Sequence, residues 1–172
     1  FIPDVLVRLP PQTITAGGSD SYALRIPELT VRKQSRIALT GANGTGKTLL
    51  AYTVLNRIRE AAQQKRGDDA SLYFYLPQEI SEAEEQAVLA HFFSLDTEIR
   101  SEVLSTVYRM GSNPETLLTF TDGKRISPGG LRKLMIALAM CKPLRLLILD
   151  EPTNHLDILS VRLLETALAD IS

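Results

Sequence analysis

The chain has 172 residues, 44% of them hydrophobic and 23% charged, with a formal net charge of −1. That is about one domain's length, with enough apolar residues for an ordinary packed core. The near-neutral balance excludes a bulk electrostatic role on nucleic acid or an anionic membrane, so no direct DNA binding is indicated. One cysteine, Cys141, cannot form an internal disulfide, which fits a reducing, cytoplasmic compartment with Cys141 as a small core residue. No apolar run reaches the roughly 18 residues of a membrane helix, so direct membrane insertion is not expected. The chain opens Phe1-Ile2-Pro3-Asp4 without Met and reads as a piece of a longer protein.

Residues 5–9 and 12–15 read as strands, with a turn at Gly17 to Asp20. Tyr22 to Ile26 and Leu29 to Val31 read as further strand interrupted by Pro27, so 1–36 is an antiparallel β region. Ile37-Ala38-Leu39-Thr40 is an apolar run that reads as a strand. A helix is expected from Thr48 to about Gln64, with Leu50, Val54, Ile58 and Ala61 at helical spacing. Residues 71–76 form a compact strand ended by Pro77-Gln78-Glu79. Ser81 with Glu84 predicts a capping box, and Ala87, Val88, His91 and Phe92 an apolar face, with His91 structural. A second helix over 97–110 puts Ile99, Val103, Val107 and Met110 on one side, and Gly111-Ser112 stops it. Asn113-Pro114 predicts a short third helix. Another helix follows Gly130 through Leu131, Leu134, Met135 and Leu138. Leu146 to Leu149 then reads as a buried strand ending in Asp150-Glu151, and a last helix carries Val161, Leu164 and Leu168.

Two stretches carry chemistry. Gly41-Ala42-Asn43-Gly44-Thr45-Gly46-Lys47-Thr48 is a G-x-x-x-x-G-K-T phosphate-binding loop between the run 37–40 and a helix. Glycines let backbone N–H groups turn inward on an anion, and the helix adds its own orphan N–H groups. Lys47 supplies a mobile cation for the terminal phosphates, and Thr48 a hydroxyl for Mg²⁺. Asp150, held at the carboxyl end of a strand, can orient Mg²⁺. Glu151, one step on, is placed to accept a proton from an attacking water.

With both stretches in view, a resemblance emerges. Asp150-Glu151-Pro152-Thr153-Asn154-His155-Leu156-Asp157 resembles the D-E-P-T-N-H-L-D stretch of ATP-binding-cassette (ABC) proteins. The Asn-His form is especially usual in the ABC-F class, soluble ATPases of the ribosome that include antibiotic-resistance proteins. Ile126-Ser127-Pro128-Gly129-Gly130 resembles the L-S-G-G-Q signature, and Tyr75-Leu76-Pro77-Gln78 the Q-loop. The order is the family's order, and nearly the whole chain is covered. Two departures stand out: Pro128 replaces the first signature Gly, a form familiar in ABC-F proteins, and Gly130 replaces Gln.

The resemblance implies an α/β fold: an ABC-type P-loop ATPase core with a mixed or parallel sheet over 37–78 and 130–172. It adds the antiparallel region 1–36 and an inserted helical subdomain with the signature loop over 79–129. It implies ATP and Mg²⁺, with Gly41, Asn43, Gly44, Thr45, Gly46, Lys47 and Thr48 on the nucleotide. Metal contacts would be Thr48, Gln78 and Asp150, with Glu151 and Gln78 catalytic. Ser127, Gly129 and Gly130 would form a second anion site that closes over a partner cassette's ATP, with Asp157 at that interface. Tyr22 is the candidate for stacking on adenine, against a plain half-buried strand tyrosine. His155 reads as shaping the loop before Asp157, because the family's switch histidine lies one strand beyond Ser172. The implied function is an ABC-F translation or resistance factor that hydrolyses ATP in a head-to-tail cassette pair and meets the ribosome through other parts. The alternatives are a transporter's nucleotide-binding domain and an ATP clamp that barely hydrolyses.

Overall fold

The computed structural model describes residues 4–15, 23–33, 35–64, 72–113 and 126–170, with the backbone alone for 62–64 and 167–170. Strand β1 (Val5–Leu9) alternates so that Val7 and Leu9 are buried while Arg8 faces out. It pairs antiparallel with β4 (Leu29–Arg32), setting Val7 opposite Val31 and Leu9 opposite Leu29. Strands β2 (Gln12–Thr15) and β3 (Ala23–Ile26) form a second antiparallel pair. The expected antiparallel region is present. Tyr22 lies outside the described residues.

Helix α1 (Lys47–Gln64) turns Ala51, Val54, Leu55 and Ile58 inward, one apolar stripe at helical spacing. Val54 and Ile58 of that stripe close a core with Val7, Leu9, Ile26, Val31 and Tyr73. The run Ile37–Thr40 forms no strand: it carries no ladder, and Ile37 and Leu39 are exposed. An apolar run becomes a strand only where a neighbour takes its N–H and C=O groups.

Strand β5 (Tyr73–Leu76) pairs with β6 (Leu146–Leu149). Arg145 N–H donates to Leu72 C=O at 2.8 Å and Asp150 N–H to Leu76 C=O at 2.9 Å, so the two strands run parallel. Strand β6 is half-buried along its whole length rather than buried, since it has one neighbour among the described residues. In place of the one sheet expected for the core, the described residues form a parallel pair and two antiparallel pairs.

Helix α2 (Glu82–Ser94) opens on the capping box foreseen, with Ser81 Oγ and the Glu84 side chain satisfying each other's backbone. Its inward side is Val88, Leu89 and Phe92, while Ala87 and His91 are exposed. Helix α3 (Thr97–Arg109) buries Val103, Thr106 and Val107 but leaves Ile99 39% exposed. It ends at Gly111, whose φ of 75° is left-handed. The short helix predicted from Pro114 lies outside the described residues. Helix α4 (Pro128–Met140) starts before Gly130, with Ser127 as N-cap and Pro128 in the first turn. Residues Leu131 to Ala139 are all buried, so α4 is the centre of its core rather than an amphipathic cover. Helix α5 (Ile158–Asp170) packs through Leu164.

The chain divides into two compact units, Phe1–Tyr73 with Arg145–Ile148, and Phe74–Leu144 with Leu149–Ser172. Each has its own apolar core.

Candidate functional site

The phosphate loop belongs to the first unit. Gly44 and Gly46 have φ of 79° and 92°, left-handed values that a side chain would strain. Thr45 Oγ1 donates to Ala42 C=O at 2.9 Å and pins the turn. Lys47 begins α1 and folds back, its Nζ donating to the carbonyls of Gly41 and Ala42, both at 2.9 Å. Two of its three donors therefore anchor it over its own loop. Asn43 is exposed on the same loop, and Thr48 follows in the first turn of α1. Orphan N–H groups, a helix N-terminus and a fixed ammonium together make an anion site.

In the second unit, β5 and β6 end side by side. Asp150 is buried, and Tyr75 Oη donates to its Oδ2 at 3.3 Å. Glu151 has φ of 47°, a left-handed value that strains a non-glycine backbone. Asn154 Nδ2 donates to Glu151 Oε2 at 2.6 Å, and Asn154 N–H to Glu151 C=O at 3.1 Å. A short charge-assisted bond of this kind fixes a carboxylate's direction.

His155 is the second left-handed non-glycine, at φ 61°. Its carbonyl lies where a Cβ on Gly129 would approach to 2.5 Å, so the signature turn and the loop before Asp157 meet at a bare glycine. Ser127 Oγ accepts from Gly130 N–H at 3.1 Å, so these two signature groups engage each other as a cap. Asp157 Oδ1 accepts from Ser160 N–H and Oγ, both at 2.9 Å, and so begins α5. Its Oδ2 accepts from Lys133 Nζ of α4 at 2.7 Å. Lys133 first, then the Ser160 amide, hold the Asp157 carboxyl well below the usual carboxylate range.

Sequence reasoning overlooked Tyr75, Arg132, Lys133 and Asn154 as site residues. Arg132 is 1% exposed and donates to the Pro77 carbonyl at 3.0 Å and to the Gln78 carbonyl. Burial lowers its pKa, while the charges of Asp150 and Glu151 raise it. Gln78, Ile126, Pro128, Leu131, Arg132 and His155 line a cleft of about 510 Å³ in this unit. One signal was available: adjacent cations, Arg132 and Lys133, inside the apolar run 131–139.

Among the described residues no group of three or more His, Cys, Asp or Glu side chains could hold a metal. Thr48, in the first unit, offers a hydroxyl, and Asp150, in the second, a carboxylate; each is a hard oxygen donor of the kind that suits Mg²⁺, which keeps waters and completes its shell on substrate phosphates. No helix among the described residues is long and apolar enough to cross a membrane.

A loop of this kind ahead of its helix defines a phosphate-loop nucleotide-binding domain. More particularly, the chain belongs to the ABC transporter family, whose sequence model matches residues 24–154. The ATP-binding protein Uup-like of Haemophilus influenzae is 31% identical over 147 residues, covering 82% of this chain and 32% of that protein. Elongation factor 3 of Pneumocystis carinii is 30% identical over 145 residues, covering 81% of this chain and 13% of its own length. The ribosome protection protein VmlR of Bacillus subtilis is 27% identical over 163 residues, covering 94% and 29%. The chain spans a third or less of these relatives. They align it with ABC-F-like ATP-binding domains. No solved structure matches.

Proposed function

We propose that the chain binds Mg-ATP and, as one cassette of a head-to-tail pair, hydrolyses it to drive a conformational change in an ABC-F-type translation or antibiotic-resistance factor. The observation that carries the reading is the phosphate loop, with Lys47 anchored on the Gly41 and Ala42 carbonyls at the N-terminus of α1. Backbone amides from Gly41 to Gly46 and the side chains of Asn43, Lys47 and Thr48 take the phosphates. Mg²⁺, for which Thr48, Asp150 and Gln78 are the candidate oxygen donors, would neutralise the charge that develops on the phosphates. Glu151, held by Asn154, accepts the proton of the attacking water, which Gln78 helps to place. Ser127, Gly129 and Gly130 face a partner cassette's ATP, and Asp157 lies at that contact. Tyr22 stacks on adenine. The relatives named for elongation and ribosome protection support a cytoplasmic, ribosomal setting.

Lys47→Ala removes the loop's cation. ATP affinity by calorimetry should fall at least tenfold, about 1.4 kcal/mol, and equal affinity would refute the phosphate-loop reading. The full-length parent should co-sediment with ribosomes when ATP is held unhydrolysed. Fractionation with membranes instead would move the reading to a transporter's nucleotide-binding domain.

A further inference from the structure

The largest side chain wholly inside the second unit is a cation, Arg132, at 1% exposure. A guanidinium out of water is costly unless its donors and charge are satisfied. Here one nitrogen, Nη2, donates to two successive backbone carbonyls, those of Pro77 and Gln78. Nη1 has no hydrogen-bond partner. Stability alone would favour an apolar residue over an incompletely satisfied buried cation. Something other than stability is served, and the partners suggest what. The two carbonyls belong to the segment that leaves β5 and carries Gln78. Arg132 itself sits two residues after Gly130, in the first turns of α4. The next residue, Lys133, holds Asp157 in the same way at 2.7 Å. Adjacent residues of one buried helix thus grip two loops that are distant in sequence.

We propose that Arg132 is a positioning residue for Gln78: it fixes the backbone from which Gln78 reaches and ties it to the signature helix, so that the two shift as one body. The inference rests on the role of Gln78 proposed above. The rigid planar guanidinium holds one nitrogen, Nη2, between two adjacent carbonyls, whereas lysine offers a point charge on a flexible stem. Arg132→Lys therefore keeps the charge and loses the alignment.

The test is a double-mutant cycle in the full-length parent, with wild type, Arg132→Lys, Gln78→Ala and the double variant compared for ATP turnover and, by calorimetry, for ATP affinity. A displacement approaching 1 Å costs up to about a hundredfold in turnover, so Arg132→Lys should lose about tenfold or more with ATP affinity unchanged. Because Arg132 acts through Gln78, the double variant should turn over no more slowly than Gln78→Ala. Losses that multiply, or wild-type turnover by Arg132→Lys, would overturn the inference. If Arg132→Lys fails to fold by circular dichroism, Arg132→Gln, which keeps a donor, replaces it in the cycle. Hydrogen exchange gives a readout independent of turnover: the amides of Glu79 and Ile80 should exchange faster in Arg132→Lys. Unchanged exchange there overturns the inference. Faster exchange in a parent that hydrolyses no ATP supports the positioning and removes the proposed ATPase function instead.

Discussion

Gly129→Ala adds a single methyl group where the signature turn meets the loop before Asp157. The new Cβ would lie 2.5 Å from the His155 carbonyl oxygen, where ordinary contact begins at 3.4 Å, so the two segments must part by about 0.9 Å. The obstacle is backbone, not the end of a flexible side chain. His155 already holds a left-handed φ of 61°, so its turn has little room to yield. Two effects oppose each other. Alanine gains up to about 1 kcal/mol in helix propensity over glycine. Overpacking costs about 1–3 kcal/mol, and because the loop is strained the upper half of that range applies. The net should be a loss of about 1–2 kcal/mol, read as a melting point lower by roughly 2–8 °C. Function should suffer more than stability. A parting of this size displaces the signature turn from Asp157 and Glu151, and misplacement near 1 Å costs up to about a hundredfold in turnover. ATP affinity, which depends on the phosphate loop, should hold. Thermal melts and single-turnover hydrolysis in the full-length parent measure both. A Gly129→Ala protein that melts at or above wild type and turns over normally would refute the contact.

Glu151→Gln keeps the acceptor that Asn154 bonds but cannot take a proton, so ATP should bind normally while hydrolysis falls about a hundredfold or more. Unhydrolysed ATP should then hold two cassettes closed in the parent; normal hydrolysis would remove Glu151 from its role. Asp157→Asn can still cap α5 but leaves the buried Lys133 without its anion. In wild type the Asp157 pKa is depressed on folding, so its stabilisation is present above the ordinary value of 3.8 and is lost as pH falls below it. With the Asp157 side chain 54% exposed, screening keeps the pair near about 1 kcal/mol. The melting-point gap between wild type and Asp157→Asn should therefore narrow steadily as pH falls from about 4 toward about 2, and a gap constant down to that pH would refute the pair.

What was legible in the sequence was local. The phosphate loop, the capping box at Ser81, the stop at Gly111 and the strands of the first 32 residues each depend on residues within a turn or a single strand. The start of α4 was legible too, since Ser127-Pro128 is an N-cap followed by proline, although glycines 129 and 130 are poor helix formers that blur the boundary. What escaped depended on distant partners. Ile37–Thr40 has the composition of a strand, but pairing is a property of two segments. On α2 the periodicity admitted more than one face, and packing chose Leu89 over Ala87 and His91. The roles of Arg132 and Lys133 could not be read locally, because their partners lie 55 and 24 residues away.

Those two cations also bear on why α4 is built as it is. A helix buried on every side would be most stable with apolar residues throughout, since a buried ion pair is weak support for stability. Instead the two charged positions fall in the turn after the signature, each gripping a different loop: the backbone beside Gln78, and Asp157. Gly129 adds a third grip by contact with His155. Any ligand that shifts the start of α4 must therefore shift all three or break a buried polar bond. Breaking either bond leaves a buried cation with fewer partners, which costs more than moving the attached loop with the helix. A helix so loaded favours discrete positions over a continuum, which is the property a nucleotide-driven change of shape requires.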